Sequence, residues 1–177
     1  TSKDIIIKAK KGGYAVPAFN CENLEMVQAI IAAAEETKSP VLLQTTPSTV
    51  KYLTLRQAYA MVKAEADAAS VPVSLHLDHC ESYEGVCDAL DAGYSSVMID
   101  ASKLPFDENI ALTAKTVAEA HRRGIPVEAE LGTVGGKEDS RSASIAYTDP
   151  DQALEFYSKT GIDIFAVAIG TAHGFYK

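Results

Sequence analysis

SLHLDHC, residues 74–80, has the pattern of a buried β-strand that ends in chemically active side chains. Polar and apolar residues alternate, so Ser74, His76 and Asp78 would share one face of the strand. His79 follows where strict alternation lapses and the strand is expected to end. A carboxylate and an imidazole at the end of a buried strand cost free energy unless they have partners or a function. This stretch therefore predicts a functional site at the carboxyl end of the strand.

The same strand-like pattern recurs on both sides of this stretch. Short apolar segments alternate with longer amphipathic ones, which predicts βαβ units and a parallel sheet. The predicted strands are 15–20, 40–46, 72–79, 96–100, 126–132 and 164–170. The predicted helices are 1–13, 23–38, 53–69, 83–92, 109–123 and 149–160. The polar segment 133–148, which contains Gly135 and Gly136, is predicted to be a loop.

The polar residues in the strands favour a barrel over an open sheet. In five successive strands, the residue near the carboxyl end on one face is polar, namely Asn20, Thr46, Asp78, Asp100 and Glu130. A barrel with its site on the carboxyl rim needs this arrangement, whereas a doubly wound sheet would concentrate polar residues at one switch point. We therefore predict an α/β fold, a (β/α)8 TIM barrel of which this chain carries about six strands. We expect residues 1–177 to form a single, incomplete barrel domain.

Composition narrows the class of protein. The chain has 177 residues, of which 47% are hydrophobic, enough for one sizeable core, and its formal net charge is −8. We expect neither nucleic acid nor a membrane as partner, because no basic stripe and no apolar run of membrane-spanning length is present. The three cysteines, Cys21, Cys80 and Cys87, lack metal-type spacing and predict reduced thiols in a cytoplasmic protein. A phosphorylated substrate would have to be held by a metal, by backbone N–H groups or by a lysine.

Five motifs occur in a fixed order along the chain. They are HLDHC (76–80), SVMIDAS (96–102), PFDEN (105–109), VEAELGTVGG (127–136) and AIGTAHGFYK (168–177). Together they resemble the class II, zinc-dependent bisphosphate aldolases, a family that contains the fructose-1,6-bisphosphate and tagatose-1,6-bisphosphate enzymes. The resemblance implies a (β/α)8 barrel, a lyase of carbohydrate metabolism and glycolysis, and a phosphorylated sugar as substrate. The implied products are dihydroxyacetone phosphate and glyceraldehyde 3-phosphate, and we expect a homodimer or homotetramer.

The resemblance also implies roles for the residues around the metal. Asp78 resembles the catalytic acid that protonates the aldehyde oxygen, and His79 and His173 resemble two zinc ligands. Asp100 and Glu130 match the acidic pair that can hold a second or displaced divalent ion. The cofactor implied is Zn²⁺, with room for a second divalent ion or a monovalent cation.

Other residues resemble the family's loop and substrate contacts. Glu138 matches the glutamate that exchanges the proton on the substrate carbon, and its Gly-hinged loop suits a group that excludes water only when substrate is bound. Asn20 and Thr46 match polar contacts to the substrate, and Gly174 matches a backbone contact. Lys177 falls where fructose-type members often carry a lysine. A third histidine ligand and the Gly-rich phosphate loops would lie beyond this position.

Several of these residues also have purely structural interpretations. Asp100 and Glu130 could be buried carboxylates bonded to backbone N–H groups, and Glu138 could be a solvated loop charge. His76 is predicted to be a hydrogen-bonded core histidine or one that supports the site, and Cys80 a small buried thiol.

Three alternative functions stay open at this point. The first is a tagatose-1,6-bisphosphate aldolase, because TTPST (45–49) is similar to the tagatose enzymes whereas HGFYK (173–177) favours fructose. The second is a metal-free barrel with a Schiff-base lysine, which is disfavoured because no predicted strand contains a lysine. The third is an inactive partial barrel that acts only as a structural or interaction module.

Overall fold

The computed structural model describes residues 1–136, 146–170 and 172–173. Residues 135–136 and 172–173 are described by their backbone only. The strands are β1 (Ala18–Asn20), β2 (Val41–Thr45), β3 (Val73–Cys80), β4 (Ser96–Ile99), β5 (Val127–Leu131), β6 (Gly135–Gly136), β7 (Ile164–Val167) and β8 (Ala172–His173). The helices are α1 (Ser2–Gly12), α2 (Leu24–Thr37), α3 (Pro47–Leu53), α4 (Leu55–Ala66), α5 (Tyr83–Ala92), α6 (Phe106–Arg122) and α7 (Pro150–Thr160).

Six of these strands form one parallel sheet. Their order is β1-β2-β3-β4-β5-β7, and every neighbouring pair is parallel. Strands that follow one another along the chain are therefore neighbours in the sheet, as they are in a (β/α)8 barrel. The predicted α/β class is confirmed, and the six strands form a partial barrel.

Apart from shifts of up to three residues at the ends of elements, the structure differs from the predicted elements at two places. The predicted helix 53–69 is wrong at its start, because α3 ends at Leu53 and α4 begins at Leu55. Thr54 separates them with a φ of 60°, outside the helical region, and its side chain accepts a hydrogen bond from the Gln57 N–H. Within the predicted loop 133–148, Gly135–Gly136 form β6 and pair in parallel with β8; residues 137–145 lie outside the described residues.

The main core lies between the outer face of the sheet and the helices. Alternate strand residues point outward and are buried, among them Leu43, Leu77, Val97 and Val127. Full burial of such a side chain stabilises the fold by about 2 kcal/mol relative to leaving it exposed. This layer leaves the opposite face of the sheet for polar residues of the other parity.

Helix α1 covers the amino-terminal end of this inner face. Ile5 and Ala9 are buried, and the buried Ser2 hydroxyl donates to Ser96 Oγ across 2.8 Å. Ser96 is the first residue of β4, so α1 closes the sheet at the end opposite to the predicted site. Among residues 1–136, 146–170 and 172–173, no helix combines the length and apolarity that a membrane crossing requires.

Candidate active site

A β-bulge at the end of β3 places His79. His76 and Leu77 pair with Ser96 and Val97, but Cys80 pairs with Ile99, so β3 carries one residue more than β4 over this interval. His79 adopts a φ of 51°, a left-handed conformation that a residue with a β-carbon seldom takes. Strict alternation would put Asp78 and His79 on opposite faces. Because of the bulge, the His79 ring lies within reach of acidic side chains of the inner face.

His79 forms a compact cluster with two carboxylates from the next two strands. Its Nδ1 lies 2.9 Å from Asp100 Oδ2 and 3.7 Å from Glu130 Oε2. One ligand atom from each of the three residues lies within 4.8 Å of the others. Asp100 and Glu130 are buried and His79 is nearly so. An imidazole nitrogen with two carboxylate oxygens is a donor set that suits a divalent transition metal such as zinc.

Neighbouring residues hold the Asp100 carboxylate and the backbone of Glu130 in place. The Ser102 N–H and hydroxyl donate to Asp100 Oδ1 at 3.1 and 2.6 Å, which leaves the other carboxylate oxygen facing His79. The Asn109 side chain donates to the Glu130 backbone carbonyl across 3.0 Å and so ties α6 to β5 beside the cluster. Asp100 thus has the backbone N–H partner expected of a structural carboxylate, and it also belongs to the cluster.

Asp78 lies beside this cluster and is oriented from β2. Gln44 donates its side-chain N–H to Asp78 Oδ2 across 2.7 Å, while Asp78 Oδ1 lies 3.9 Å from His79 Nε2. Sequence analysis assigned no role to Gln44. The available signal was its position two residues before Thr46 on the predicted strand 40–46, since residues two apart on a strand face the same side.

Glu128 is a further residue of the inner face to which sequence analysis assigned no role. Burial raises its pKa to about 7, with further upward contributions from Asp78 and Glu130 that exceed the opposing effect of His79. Its Oε2 lies 3.6 Å from Nε2 of His76. The parity shared with Glu130 was the available signal, since residues two apart on a strand face the same side.

His76 and Cys80 follow their structural interpretations. His76 is fully buried, its Nδ1 lies 2.7 Å from Ser96 Oγ, and burial, followed by repulsion from His79, lowers its pKa to about 3. The Cys80 thiol is buried and donates to the Ser82 carbonyl. Both predictions are confirmed.

The predicted substrate-contact residues occupy the same rim of the sheet. Asn20 is the exposed last residue of β1 and pairs in register with Gln44. Thr46 follows β2 and is buried, with its hydroxyl 3.0 Å from that of Ser48 and 3.3 Å from that of Thr49. The Thr46 side chain therefore takes part in the first turn of α3.

The remaining predicted residues lie at the margin of the described chain. The backbone of His173 pairs with Gly136 in the β6–β8 ladder, beyond the end of β5, and its side chain lies outside the described residues. Glu138, Gly174 and Lys177 lie outside them altogether. The described part of the predicted site is therefore the rim formed by β1 to β5.

Known proteins are similar to this chain in sequence and in fold. The family model for class-II fructose-bisphosphate aldolase matches residues 1–177. A probable fructose-bisphosphate aldolase of Bacillus subtilis is 50% identical over 178 residues, covering 98% of this chain and 62% of that protein. A fructose-bisphosphate aldolase of Staphylococcus aureus is 46% identical over 181 residues, covering 99% of this chain and 63% of that protein.

Solved structures agree with the sequence comparison. The crystal structure of the YdjI aldolase from Escherichia coli K12 superimposes with a TM-score of 0.89 at 42% identity, covering 98% of this chain and 63% of that one. The fructose-bisphosphate aldolase of Campylobacter jejuni gives 0.80 at 26% identity, covering 99% and 58%. The chain thus spans about 60% of the length of these relatives. The match over all 177 residues shows that the chain belongs to the class-II fructose-bisphosphate aldolase family.

Proposed function

We propose that this protein is a zinc-dependent aldolase that reversibly cleaves a ketose 1,6-bisphosphate, with fructose 1,6-bisphosphate as the favoured substrate. The observation that carries the proposal is the buried cluster of His79, Asp100 and Glu130 directly beside Asp78. It supplies metal-ligand chemistry and a proton carrier on one rim of the sheet. The products would be dihydroxyacetone phosphate and glyceraldehyde 3-phosphate.

The metal would be held by residues of the inner face. His79 is the proposed zinc ligand of the described rim, with Asp100 and Glu130 beside it to hold the same ion or a second one, and His173 is proposed as a further ligand. Bound zinc would polarise the carbonyl group of the substrate and stabilise the negative charge that develops on its oxygens.

The proton transfers are assigned to two carboxyl groups. In the cleavage direction the bond between the third and fourth carbons breaks, Asp78 accepts the proton of the fourth-carbon hydroxyl, and an aldehyde forms. The electron pair of the broken bond stays with the dihydroxyacetone phosphate part, whose third carbon then receives a proton from Glu138. In the reverse direction Asp78 returns its proton to the aldehyde oxygen. The Gln44 hydrogen bond would keep the Asp78 carboxyl group in one orientation for both directions.

The substrate is bound, in this proposal, by groups around the rim. Asn20 and Thr46 would contact the sugar, and Gly174 and Lys177 would contact its phosphorylated end. Fructose and tagatose 1,6-bisphosphate differ at one stereocentre, and the names of the relatives favour fructose. We further propose a cytoplasmic homodimer or homotetramer in which residues 1–177 belong to one barrel domain.

The test is a coupled assay of triose phosphate formation from each of the two ketose bisphosphates, with zinc and after its removal by a chelator. We expect zinc-dependent cleavage, faster with the fructose substrate. Asp78→Asn should lower kcat by about 100-fold or more, because general acid–base catalysis typically contributes that much. Asp67→Asn is the matched control, since Asp67 is exposed and pairs only with Lys63 among the described residues. Cleavage that survives zinc removal, or a substrate adduct trapped by borohydride, would contradict the proposal.

One observation favours a second candidate function, a partial barrel that serves as an interaction module. Among the described residues, β1 and β7 are edge strands, each paired on one side only, and all three residues of β1 are exposed. Edges of this kind are surfaces on which another chain can add a strand. Light scattering together with zinc analysis separates the two candidates, because an assembly that binds no zinc and cleaves neither substrate would favour the module.

A further inference from the structure

A line of buried polar groups runs from helix α1 to the floor of the candidate active site. The Ser2 hydroxyl lies 2.8 Å from Ser96 Oγ, which lies 2.7 Å from His76 Nδ1. The other ring nitrogen of His76 lies 3.6 Å from Glu128 Oε2. Ser2, Ser96 and His76 are buried, and Glu128 is largely so. None of the four is assigned to substrate or metal.

The direction of the hydrogen bonds in this line determines the state of His76. Ser2 donates to Ser96, so the oxygen of Ser96 is already an acceptor. A serine hydroxyl has one hydrogen, and His76 Nδ1 is the described acceptor next to it. Nδ1 therefore accepts, and in a neutral imidazole the proton must be on Nε2. Burial keeps the ring neutral, consistent with its lowered pKa.

The Nε2–H group then faces the carboxyl group of Glu128. A separation of 3.6 Å exceeds that of a formed hydrogen bond, so the contact is an electrostatic attraction between the N–H dipole of the ring and the Oε2 oxygen of Glu128. Such an attraction is strengthened by the low dielectric of a buried site. We propose that His76 is a positioning residue, which Ser96 holds in the Nε2–H tautomer so that it keeps Glu128 on the floor of the site.

This position of Glu128 matters for the metal cluster. Glu128 and Glu130 lie on the same face of β5, so a rotated Glu128 side chain would approach the carboxylates that hold the cation. By attracting Glu128 toward β3, His76 leaves the arrangement of His79, Asp100 and Glu130 undisturbed. This effect on metal binding rests on the proposed function, whereas the tautomer of His76 can be measured without it.

The first experiment is nitrogen-15 NMR of the histidine side chains in zinc-free protein. We expect His76 to give the pattern of a neutral ring with the proton on Nε2. Ser96→Ala should allow the Nδ1–H form to appear, because the donor to Nδ1 is lost. Ser95→Ala is the matched control, since the Ser95 hydroxyl bonds Ser74 and the Leu75 backbone and should leave the tautomer unchanged. A His76 that carries its proton on Nδ1 in the unmodified protein would overturn the proposal.

The second experiment compares zinc affinities of two variants by titration against a chelating indicator. His76→Gln keeps an N–H near the position of Nε2, and His76→Asn keeps a polar group near Nδ1 but none facing Glu128. We expect His76→Gln to stay within about threefold of the unmodified protein, and His76→Asn to lose about tenfold, the size typical of residues that support metal ligands. If His76→Gln lost more zinc affinity than His76→Asn, only the contact between His76 and Ser96 would affect metal binding, and the proposal would be overturned.

The two experiments also separate this inference from the proposed function. If the protein binds zinc with the expected order of affinities but cleaves neither ketose bisphosphate, the proposed function fails and the role of His76 stands. If the tautomer differs while zinc-dependent cleavage is found, the role of His76 fails and the proposed function stands.

Discussion

Two histidine–carboxylate pairs lie at opposite ends of the sheet. The first, called the upper cluster here, lies at the carboxyl end of the sheet and consists of Asp78, His79, Asp100, Glu128 and Glu130. In it, His79 Nδ1 lies 2.9 Å from Asp100. In the lower cluster, formed by Lys3, His121 and Asp163, His121 Nε2 lies 2.8 Å from Asp163 and Lys3 Nζ also lies 2.8 Å from it. The two pairs have nearly the same geometry but opposite surroundings.

The surroundings change the preferred charge of the carboxyl groups. Burial alone would raise the pKa of Asp163, but hydrogen bonds from Lys3, from His121 and from a backbone amide lower it below its ordinary value. In the upper cluster, burial and neighbouring carboxylates raise the pKa of Glu128 to about 7. A carboxylate surrounded by donors stabilises the fold as an anion, whereas carboxylates that crowd together favour a bound cation or proton. The lower cluster therefore has the character of a structural site and the upper one that of a metal site.

The largest expected effect comes from removing the histidine of each pair in turn. His79→Ala should lower zinc affinity by about 100-fold or more, because it removes a proposed ligand rather than a supporting residue, for which 10- to 100-fold losses are typical. His121→Ala should leave zinc affinity unchanged, since His121 lies at the opposite end of the sheet. Isothermal titration with zinc of both variants measures the difference.

An equal loss of zinc affinity in His79→Ala and His121→Ala would contradict the distinction between the clusters. Such a result would mean that zinc affinity follows the overall stability of the fold rather than the cluster at the carboxyl rim. Circular dichroism of each zinc-free variant shows whether the fold is intact before the titrations are compared.

Local sequence patterns predicted much of the upper cluster. The strand period placed Asp78, Asp100 and Glu130 on one face, and the parallel order of the strands brings their carboxyl ends together. The position of His79 could not follow from alternation, which puts it opposite to Asp78. It depends on the extra residue in β3 and a φ of 51°, which tertiary contacts impose and no local pattern encodes.

Local sequence patterns could not predict the lower cluster. His121 lies 42 positions from Asp163, at a polar helix end beside Arg122 and Arg123, where the sequence pattern is that of a solvated surface. Lys3 is 160 positions from its partner, in a helix whose place against the sheet the sequence does not reveal. Pairings of this kind depend on how helices pack, whereas strand parity is a property of the strand itself. By contrast, the sequence does indicate the start of helix α3, because Thr46 followed by Pro47 is a typical helix N-terminus.

The next expected effect concerns the carboxylate of the lower cluster. Asp163→Asn should lower the free energy of unfolding by about 2 kcal/mol, because the hydrogen bonds from Lys3, His121 and the Val127 N–H to a largely buried carboxylate are weakened together. Zinc affinity should not change. Urea unfolding followed by circular dichroism measures the stability.

Lys63→Met provides the matched comparison for this loss. Lys63 and Asp67 form an exposed ion pair one helical turn apart, with the same N–O distance of 2.8 Å as Lys3 and Asp163. Exposed pairs of this kind contribute little to the free energy of unfolding, because water and salt screen the two charges. If Lys63→Met destabilised the protein as much as Asp163→Asn does, the lower cluster would have no special structural role.

The smallest expected effect is a pH dependence. It concerns the difference in free energy of unfolding between the Asp163→Asn variant and the unmodified protein. Asp163 has a folded-state pKa below its ordinary value of 3.8, so the folded state binds fewer protons than the unfolded state between these two values. The stability that the carboxylate contributes is therefore fully present above the unfolded pKa and is lost as the pH falls through the folded one. The difference in free energy of unfolding should shrink below about pH 4, where Asp163 takes up a proton. Urea unfolding of both proteins across this range measures it. A difference that already shrank between pH 7 and pH 5 would show that the contribution of Asp163 depends on another group that titrates there.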